Sequence, residues 1–346
     1  MLPNALGIGN YRIEEVAAPY GYVLNENYVE VAVDTNTMYE IDPDTNDAII
    51  TVEYENAPAV GKIVVEKFGE VLVGFKGGLF AQSHEKDFVY EERGLAGAEF
   101  EVYAAEDIYT ADMQVDADGN RTRYYAKGDL VATLVTGEDG MATLSDLPLG
   151  TYKVVETKAP NGYVLNAKAH IVKLEYKDDR TPVIESKVSV GNDRQKLELT
   201  IMKKDASTKK VLEGAVFGLY ADKDIYNADG KLIVEAGTLI EKAVSDKNGL
   251  VAFKKDYPFS VYSVKELQAP DGYLLTDETV VFETAYQGQD KEKAEYSSEV
   301  FNTAKEMPKG PKTGDASNTG LWIGIGAGSL LGIGLFMLIK RKRKEV

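Results

Sequence analysis

"YKVVETKAPNGY", residues 152–163, carries a glutamate where a half-buried strand should carry an apolar side chain. Successive strand residues face opposite sides, so Tyr152, Val154 and Glu156 share one face and Lys153, Val155 and Thr157 the other. An unpaired carboxylate on an inward face is costly unless it is protonated, hydrogen-bonded or partnered. Glu156 therefore calls for partners.

The stretch recurs as "YRIEEVAAPYGYVLN" from Tyr11 and "YSVKELQAPDGYLL" from Tyr262, which puts Glu15 and Glu266 in the same phase. "LAGAEFEVYAAEDIY" from Leu95 and "LEGAVFGLYADKDIY" from Leu212 precede the second and third copies; nothing equivalent precedes the first. Alternating runs such as "YVEVAVD", "AHIVKLEY" and "KLELTIMK", separated by aspartate-glycine and asparagine-glycine turns, predict an all-β chain of Greek-key sandwiches in a row. The expected organisation is a truncated unit at 1–58, whole units at 59–195 and 196–303, and a linker at 304–320.

Two further misfits share the apolar faces. "IVVEK" aligns Lys67 with Ile63 and Val65, and "LELTIMKKD" aligns Lys203 with Leu197, Leu199 and Ile201. Each unit ends with an amide in apolar phase: Asn192 after Val188 and Val190, Asn302 after Val300, and Asn56 after Val52 and Tyr54. From glutamate to asparagine is 36 residues in both whole units and 41 in the first. Burial lowers a lysine pKa and raises that of a glutamate, which favours a neutral amine beside a protonated acid. A neutral amine is a nucleophile; the acid can polarise the asparagine carbonyl and relay protons while ammonia leaves. A buried salt bridge is the alternative reading of each lysine and glutamate.

The ordered motifs, an apolar strand ending in "K.D" or "KFG", "L.GA.F..Y", "Y.[IV].E..AP.GY" and a terminal asparagine, resemble the B-type collagen-adhesin repeat, also called the SpaA-like pilin domain of Gram-positive surface proteins. The resemblance implies tandem transthyretin-like or inverse immunoglobulin-like sandwiches with autocatalytic isopeptide bonds. Carried over, these join Lys67 to Asn192 with Glu156 assisting, and Lys203 to Asn302 with Glu266 assisting. The first unit keeps Glu15 and Asn56 but has no lysine, and is not expected to cross-link.

Leu321 to Ile339 is an uncharged 19-residue run, about 28 Å as a helix and so one hydrocarbon core. The tail at 340–346, "KRKRKEV", is expected in the cytoplasm by the positive-inside rule, with the rest outside. Before the span, Pro311, Lys312, Thr313 and Gly314 resemble a sortase sorting signal of the LPXTG type, although Gly310 stands where the family has leucine. The resemblance implies cleavage after Thr313 by a sortase and transfer to cell-wall peptidoglycan or a pilin subunit. The start, "MLPNALGIGNYRIEE", has no secretory signal pattern, so the chain reads as a C-terminal fragment, or a mis-started frame, of a longer exported protein.

The net charge of -17 understates an acidic body, because five of the 39 basic residues lie in the tail; nucleic-acid binding is not expected. There are no cysteines, and two histidines, His84 and His170, are too few for a metal cluster; His170 is expected on an exposed strand face. No nucleophile and base pair, metal set or phosphate loop suggests an enzyme acting on external substrates, so no cofactor is expected. The reading is a cell-wall-anchored stalk of an adhesin or minor pilin. The rival is an adhesin whose units contact host extracellular matrix or partner cells, with the insertion at Phe75 to Gly94 as its candidate surface. "DYPFS", Asp256 to Ser260, comes nearest to a shaft-pilin lysine motif but has Phe259 in the lysine position.

Overall fold

The computed structural model describes residues 6–34, 39–45, 48–77, 86–111, 115 and 118–306. Among them every regular element is a strand, and no helix is long and apolar enough to cross a membrane. Pro311, Lys312, Thr313, Gly314, the apolar span and the basic tail lie outside the described residues.

Two sandwiches dominate. In the first, the long strand Val60–Lys76 lies between Met141–Leu147, antiparallel to it, and Val183–Asn192, parallel to it. The facing sheet runs in the order Leu130–Val135, Glu99–Ala104, Gly150–Lys158, His170–Leu174. The second sandwich repeats this plan: Lys196–Asp205 lies between Leu250–Phe253 and the parallel Lys293–Asn302. It faces Leu239–Val244, Val216–Ala221, Val261–Gln268 and Thr279–Glu283. The alternation seen in the sequence becomes alternation in burial: Lys196–Asp205 buries every second residue from Leu197 to Asp205. Because the first and last strands of each sandwich pair in parallel, the residues that open and close it run side by side in one sheet.

Residues before 59 form a smaller assembly, in which Gly9–Glu14 pairs with Tyr28–Val33 and Glu40–Ile41 with Ala48–Ile49. The repeated "GY.L" box makes the joint to the following sandwich. Val23 N–H donates to the Ala57 carbonyl and Leu24 N–H to Asp179; equivalently, Val164 N–H donates to Asp193 and Leu165 N–H to Gln289. Each box thus stitches its own unit's last segment to a loop of the next. His170, expected to be exposed, is half-buried at the start of its strand, opposite Val154.

The described parts of the stretch Phe75 to Gly94 are a strap rather than a free insertion. Past Gly69 the strand Val60–Lys76 leaves its partner Val183–Asn192 and pairs with Asp87–Gly94 as a two-stranded arm that reaches the second sandwich. There Phe88, 8% exposed, joins the second core, edge-on to Tyr257 at 6.4 Å and tilted against Phe75 at 4.9 Å. Ala228 N–H donates to the Leu72 carbonyl at 2.9 Å, Lys255 to Asp87 at 2.7 Å, and Arg93 to Asp229 at 2.8 Å. "DYPFS" belongs to the same junction. Tyr257 is buried in the core, while Asp256 accepts hydrogen bonds from Arg194 at 2.5 Å and Lys196 at 2.8 Å. Burial opposes the charge on Asp256, but these two cations outweigh it and hold the carboxyl below its ordinary range.

Phe88→Ala should therefore weaken the second sandwich although the residue lies outside it in sequence. We expect a loss of about 3 kcal/mol by urea unfolding, typical of a phenylalanine deleted from a core, with faster amide exchange in Val216–Ala221. Unchanged exchange there would show that the strap contributes nothing to that core.

Candidate functional site

Each sandwich buries one lysine, one glutamate and one asparagine at the same place in its core. Lys67 is 0% exposed, Glu156 1% and Asn192 6%; Lys203 is 0%, Glu266 6% and Asn302 1%. All six residues singled out in the sequence are thereby brought together as two sets of three. Lysine and asparagine lie on adjacent parallel strands with Lys67 opposite Val190 and Lys203 opposite Val300, so the asparagine stands two residues further along on the same face. The glutamate reaches them from the facing sheet, since Glu156 pairs with Phe100 and Glu266 with Phe217.

The lysine amines donate to carbonyls rather than to the carboxylates. Lys67 Nζ donates to Val190 O at 2.9 Å and Phe68 O at 3.2 Å, and Lys203 Nζ to Val300 O at 3.1 Å. The glutamates stand at 4.0 Å from Lys67 and 3.7 Å from Lys203, beyond hydrogen-bond reach. Desolvation lowers the Lys67 pKa to about 8 despite the attraction of Glu156, and desolvation raises the Glu156 pKa despite its hydrogen bonds. Lys203 is lowered as well, burial again outweighing Glu266. These directions favour a neutral amine in both sets and a protonated acid at Glu156.

The carboxamides fit that state. Asn192 Nδ2 donates to Glu156 at 2.9 Å and Asn302 Nδ2 to Glu266 at 2.7 Å, while Asn192 Oδ1 and Asn302 Oδ1 are buried with no hydrogen-bond partner. Half a turn about the last side-chain bond exchanges the two ends of an amide. In the first set a protonated Glu156 would then donate to Asn192 Oδ1, satisfying the orphaned acceptor and drawing electron density from the amide carbon. An amine, an acid and a carboxamide so placed can exchange ammonia for an amide bond.

Sequence reasoning missed the groups that hold the three in place. The residue ten positions after each glutamate donates its backbone N–H to the carboxylate: Asn25 to Glu15 at 2.7 Å, Asn166 to Glu156 at 2.9 Å and Thr276 to Glu266 at 3.0 Å. In each case its side chain caps the N–H two residues on, which fixes that turn. A turn-forming residue at this constant offset was the available signal. Each lysine backbone is gripped on both sides: Lys67 N–H donates to Gly140 O while Lys67 O accepts from Leu95 N–H, and Lys203 does the same with Gly249 and Leu212. Gly140 has φ +77°, and a Cβ there would lie 2.4 Å from the Lys67 carbonyl oxygen. Only glycine allows both the turn and the close approach.

Comparison with known proteins follows the same lines. A family model described as SpaA, a prealbumin-like fold domain, matches residues 2–47, 85–188 and 197–298. Fimbrial subunit type 2 of Actinomyces naeslundii is 32% identical over 129 residues, 32% of this chain and 22% of that protein. The Bacillus anthracis TIE protein superposes with a TM-score of 0.50 at 26% identity, covering 86% of this chain and 42% of that one. The shaft pilin SpaA from Lactobacillus rhamnosus GG aligns at 21% identity and a TM-score of 0.26, covering 72% of this chain and all of that one. The chain thus spans less than half the length of the first two relatives.

Gly140→Ala should cost clearly more stability than Gly97→Ala. Both glycines have positive φ, worth about 1 to 2 kcal/mol of strain for an alanine, but a Cβ at Gly97 meets nothing within 4 Å. Equal melting temperatures for the two variants would show that the close approach to Lys67 is unimportant.

Proposed function

The chain belongs to the SpaA family of prealbumin-like fold domains, and on that premise we propose that it is a stalk segment of a Gram-positive surface adhesin or minor pilin, welded internally by isopeptide bonds. The observation that carries this reading is the duplicated set of buried lysine, glutamate and asparagine, each joining the first and last strands of its sandwich. The neutral Lys67 Nζ attacks Cγ of Asn192, and the protonated Glu156 gives its proton to the departing nitrogen and takes one from the attacking amine in exchange. One amide forms and one ammonia leaves. Lys203, Asn302 and Glu266 act in the same way. The fold holds the reacting groups together, so proximity replaces an outside enzyme.

The position of the bonds explains their use. Tension that enters through the first strand of a sandwich leaves through the last, and a covalent link between the two bypasses everything between. By analogy with disulfides, closing loops of this length is worth on the order of 4 to 5 kcal/mol. The sorting-signal residues Pro311, Lys312, Thr313 and Gly314 and the apolar span and basic tail beyond them support anchoring by a sortase to peptidoglycan or another pilin subunit. In this reading the folded part lies at the cell surface. The fimbrial relative is consistent with assembly into such a structure.

Intact mass spectrometry of the purified chain should give a value two ammonias below the sequence mass; an unmodified mass would remove the bonds from the account. Glu156→Ala should restore one ammonia and lower stability by on the order of 4 kcal/mol, the loop-closure contribution. Formation of the first bond should also depend on pH with a definite sign. Lys67 loses its proton near a lowered pKa of about 8, so its lone pair is available above that value and is withdrawn as pH falls through it. Ammonia loss in freshly folded Asn302→Ala protein, which isolates this bond, should slow on the acid side of about pH 8; a rate independent of pH would exclude the amine as nucleophile.

A further inference from the structure

The strand that carries Glu156 is held at both ends. At its start the Tyr152 hydroxyl donates to the carbonyl four residues back at 2.6 Å; Tyr262 anchors its own strand in the same way at 2.6 Å and Tyr11 at 2.8 Å. After the strand comes the box "APNGYVL", Ala159 to Leu165, and then Asn166, whose N–H donates to Glu156 Oε2 at 2.9 Å. That bond leaves Oε1 to accept from Asn192 Nδ2 at 2.9 Å. Whatever fixes the box therefore fixes the carboxyl against the amide beside it.

The groups that fix this box belong to the second sandwich. Gln289 accepts at both of its ends: the side-chain Oε1 from Ala159 N–H at 2.9 Å, and the backbone carbonyl from Leu165 N–H at 3.0 Å. Between them the Tyr286 hydroxyl donates to the Tyr163 carbonyl at 2.8 Å. The loop bearing both residues is itself set by Gln195, 1% exposed, which donates to the carbonyls of Gly288 and Lys291 and accepts from Gln287 N–H. Leu165 meets the second sandwich and the next residue, Asn166, holds Glu156. The preceding joint repeats the arrangement. Asp179 accepts from Ala18 N–H through its carboxylate at 3.2 Å and from Leu24 N–H through its carbonyl at 2.7 Å, Tyr176 donates to the Tyr22 carbonyl at 3.1 Å, and Asn25 N–H holds Glu15. Around Glu266, Thr276 N–H donates to the carboxylate at 3.0 Å, but Ala269 N–H and Leu275 N–H meet no such clamp among the described residues.

From this arrangement we infer that Gln289 is a positioning residue for the cross-link of the sandwich before its own. It holds the turn that aims Glu156 at Asn192, so the bond between Lys67 and Asn192 reaches its full rate once the second sandwich has docked on the first. The bond between Lys203 and Asn302 relies on the turn after its own glutamate strand. The inference rests on the cross-linking chemistry proposed for the two sets, and adds an order to it: at the first site, stacking precedes welding. Proton transfer needs hydrogen-bond reach, so a small displacement of the carboxyl is enough to slow the step. The chemical requirement at position 289 is an acceptor, which the amide of Gln289 supplies here and the carboxylate of Asp179 at the preceding joint.

The test follows both bonds in one molecule. Full chains made by cell-free translation are sampled over time, and their tryptic peptides are scored by mass spectrometry for the branched links from Lys67 to Asn192 and from Lys203 to Asn302. Gln289→Leu, which removes the side-chain acceptor, should slow the first link by about tenfold, within the roughly hundredfold that a misplacement of about 1 Å costs. The second link should keep its rate, which also reports that the second sandwich has folded. Gln289→Glu, which retains an acceptor, should restore the first link. An unchanged first link in Gln289→Leu, equal slowing of both links, or a Gln289→Glu chain as slow as Gln289→Leu would overturn this inference alone. Absence of both links from the unsubstituted chain would overturn it together with the reading it rests on.

Discussion

Placing an amine and a carboxyl group together in a core that excludes water is the constraint from which the rest of this protein follows. Neither group keeps its ordinary pKa there: desolvation pushes Lys67 down and Glu156 up, and the carbonyls of Phe68 and Val190 accept hydrogen bonds from the amine. A permanent ion pair in such surroundings recovers little of its desolvation cost. A lysine whose proton is easily lost stands instead beside a carboxamide and a carboxyl group, and burial lowers Lys203 in the second set as well. The sandwich around each set serves as a water-free vessel whose walls fix three groups against one another.

Topology makes that vessel mechanically useful. The lysine and asparagine strands are the first and last of each sandwich, and they pair in parallel at its centre. Load applied along the chain meets the two strands that a bond between Lys67 and Asn192, or between Lys203 and Asn302, would unite. Successive units are then coupled by the "GY.L" joints and by the strap around Phe88, whose ring completes the neighbouring core. Arg194, stacked over Tyr90 at 3.5 Å and paired with Asp256, stiffens the same junction. The result is a continuous run of packed and hydrogen-bonded contacts from one sandwich to the next.

The three copies form a natural series. Two have amine, acid and amide sealed from water; the third has the acid and amide in hydrogen-bond contact but half-exposed, and no amine beside them among the described residues. What separates them is one strand, which supplies both the lysine and the apolar cover for the asparagine face. The glutamate turn and the tyrosine anchor, which span ten residues or fewer, persist without that strand, and so does the contact between Glu15 and Asn56 across 41 residues.

Much of this was legible in the sequence because strand periodicity is local. The alternation around Glu156, Lys67 and Asn192 gives away that three polar groups face inward, and its repetition around Glu266, Lys203 and Asn302 marks them as one device. Which strand lies beside which is a matter of long-range pairing that periodicity does not encode. Tertiary structure alone decided that lysine and asparagine sit on adjacent parallel strands and that the glutamate faces them from the opposite sheet. It also decided that Gly140 and Gly249 must remain without side chains beneath the lysine carbonyls. The stretch Phe75 to Gly94 shows the same division: its aromatic residues are plain to read as apolar, but the surface that buries Phe88 belongs to residues far along the chain, and only folding brings them together.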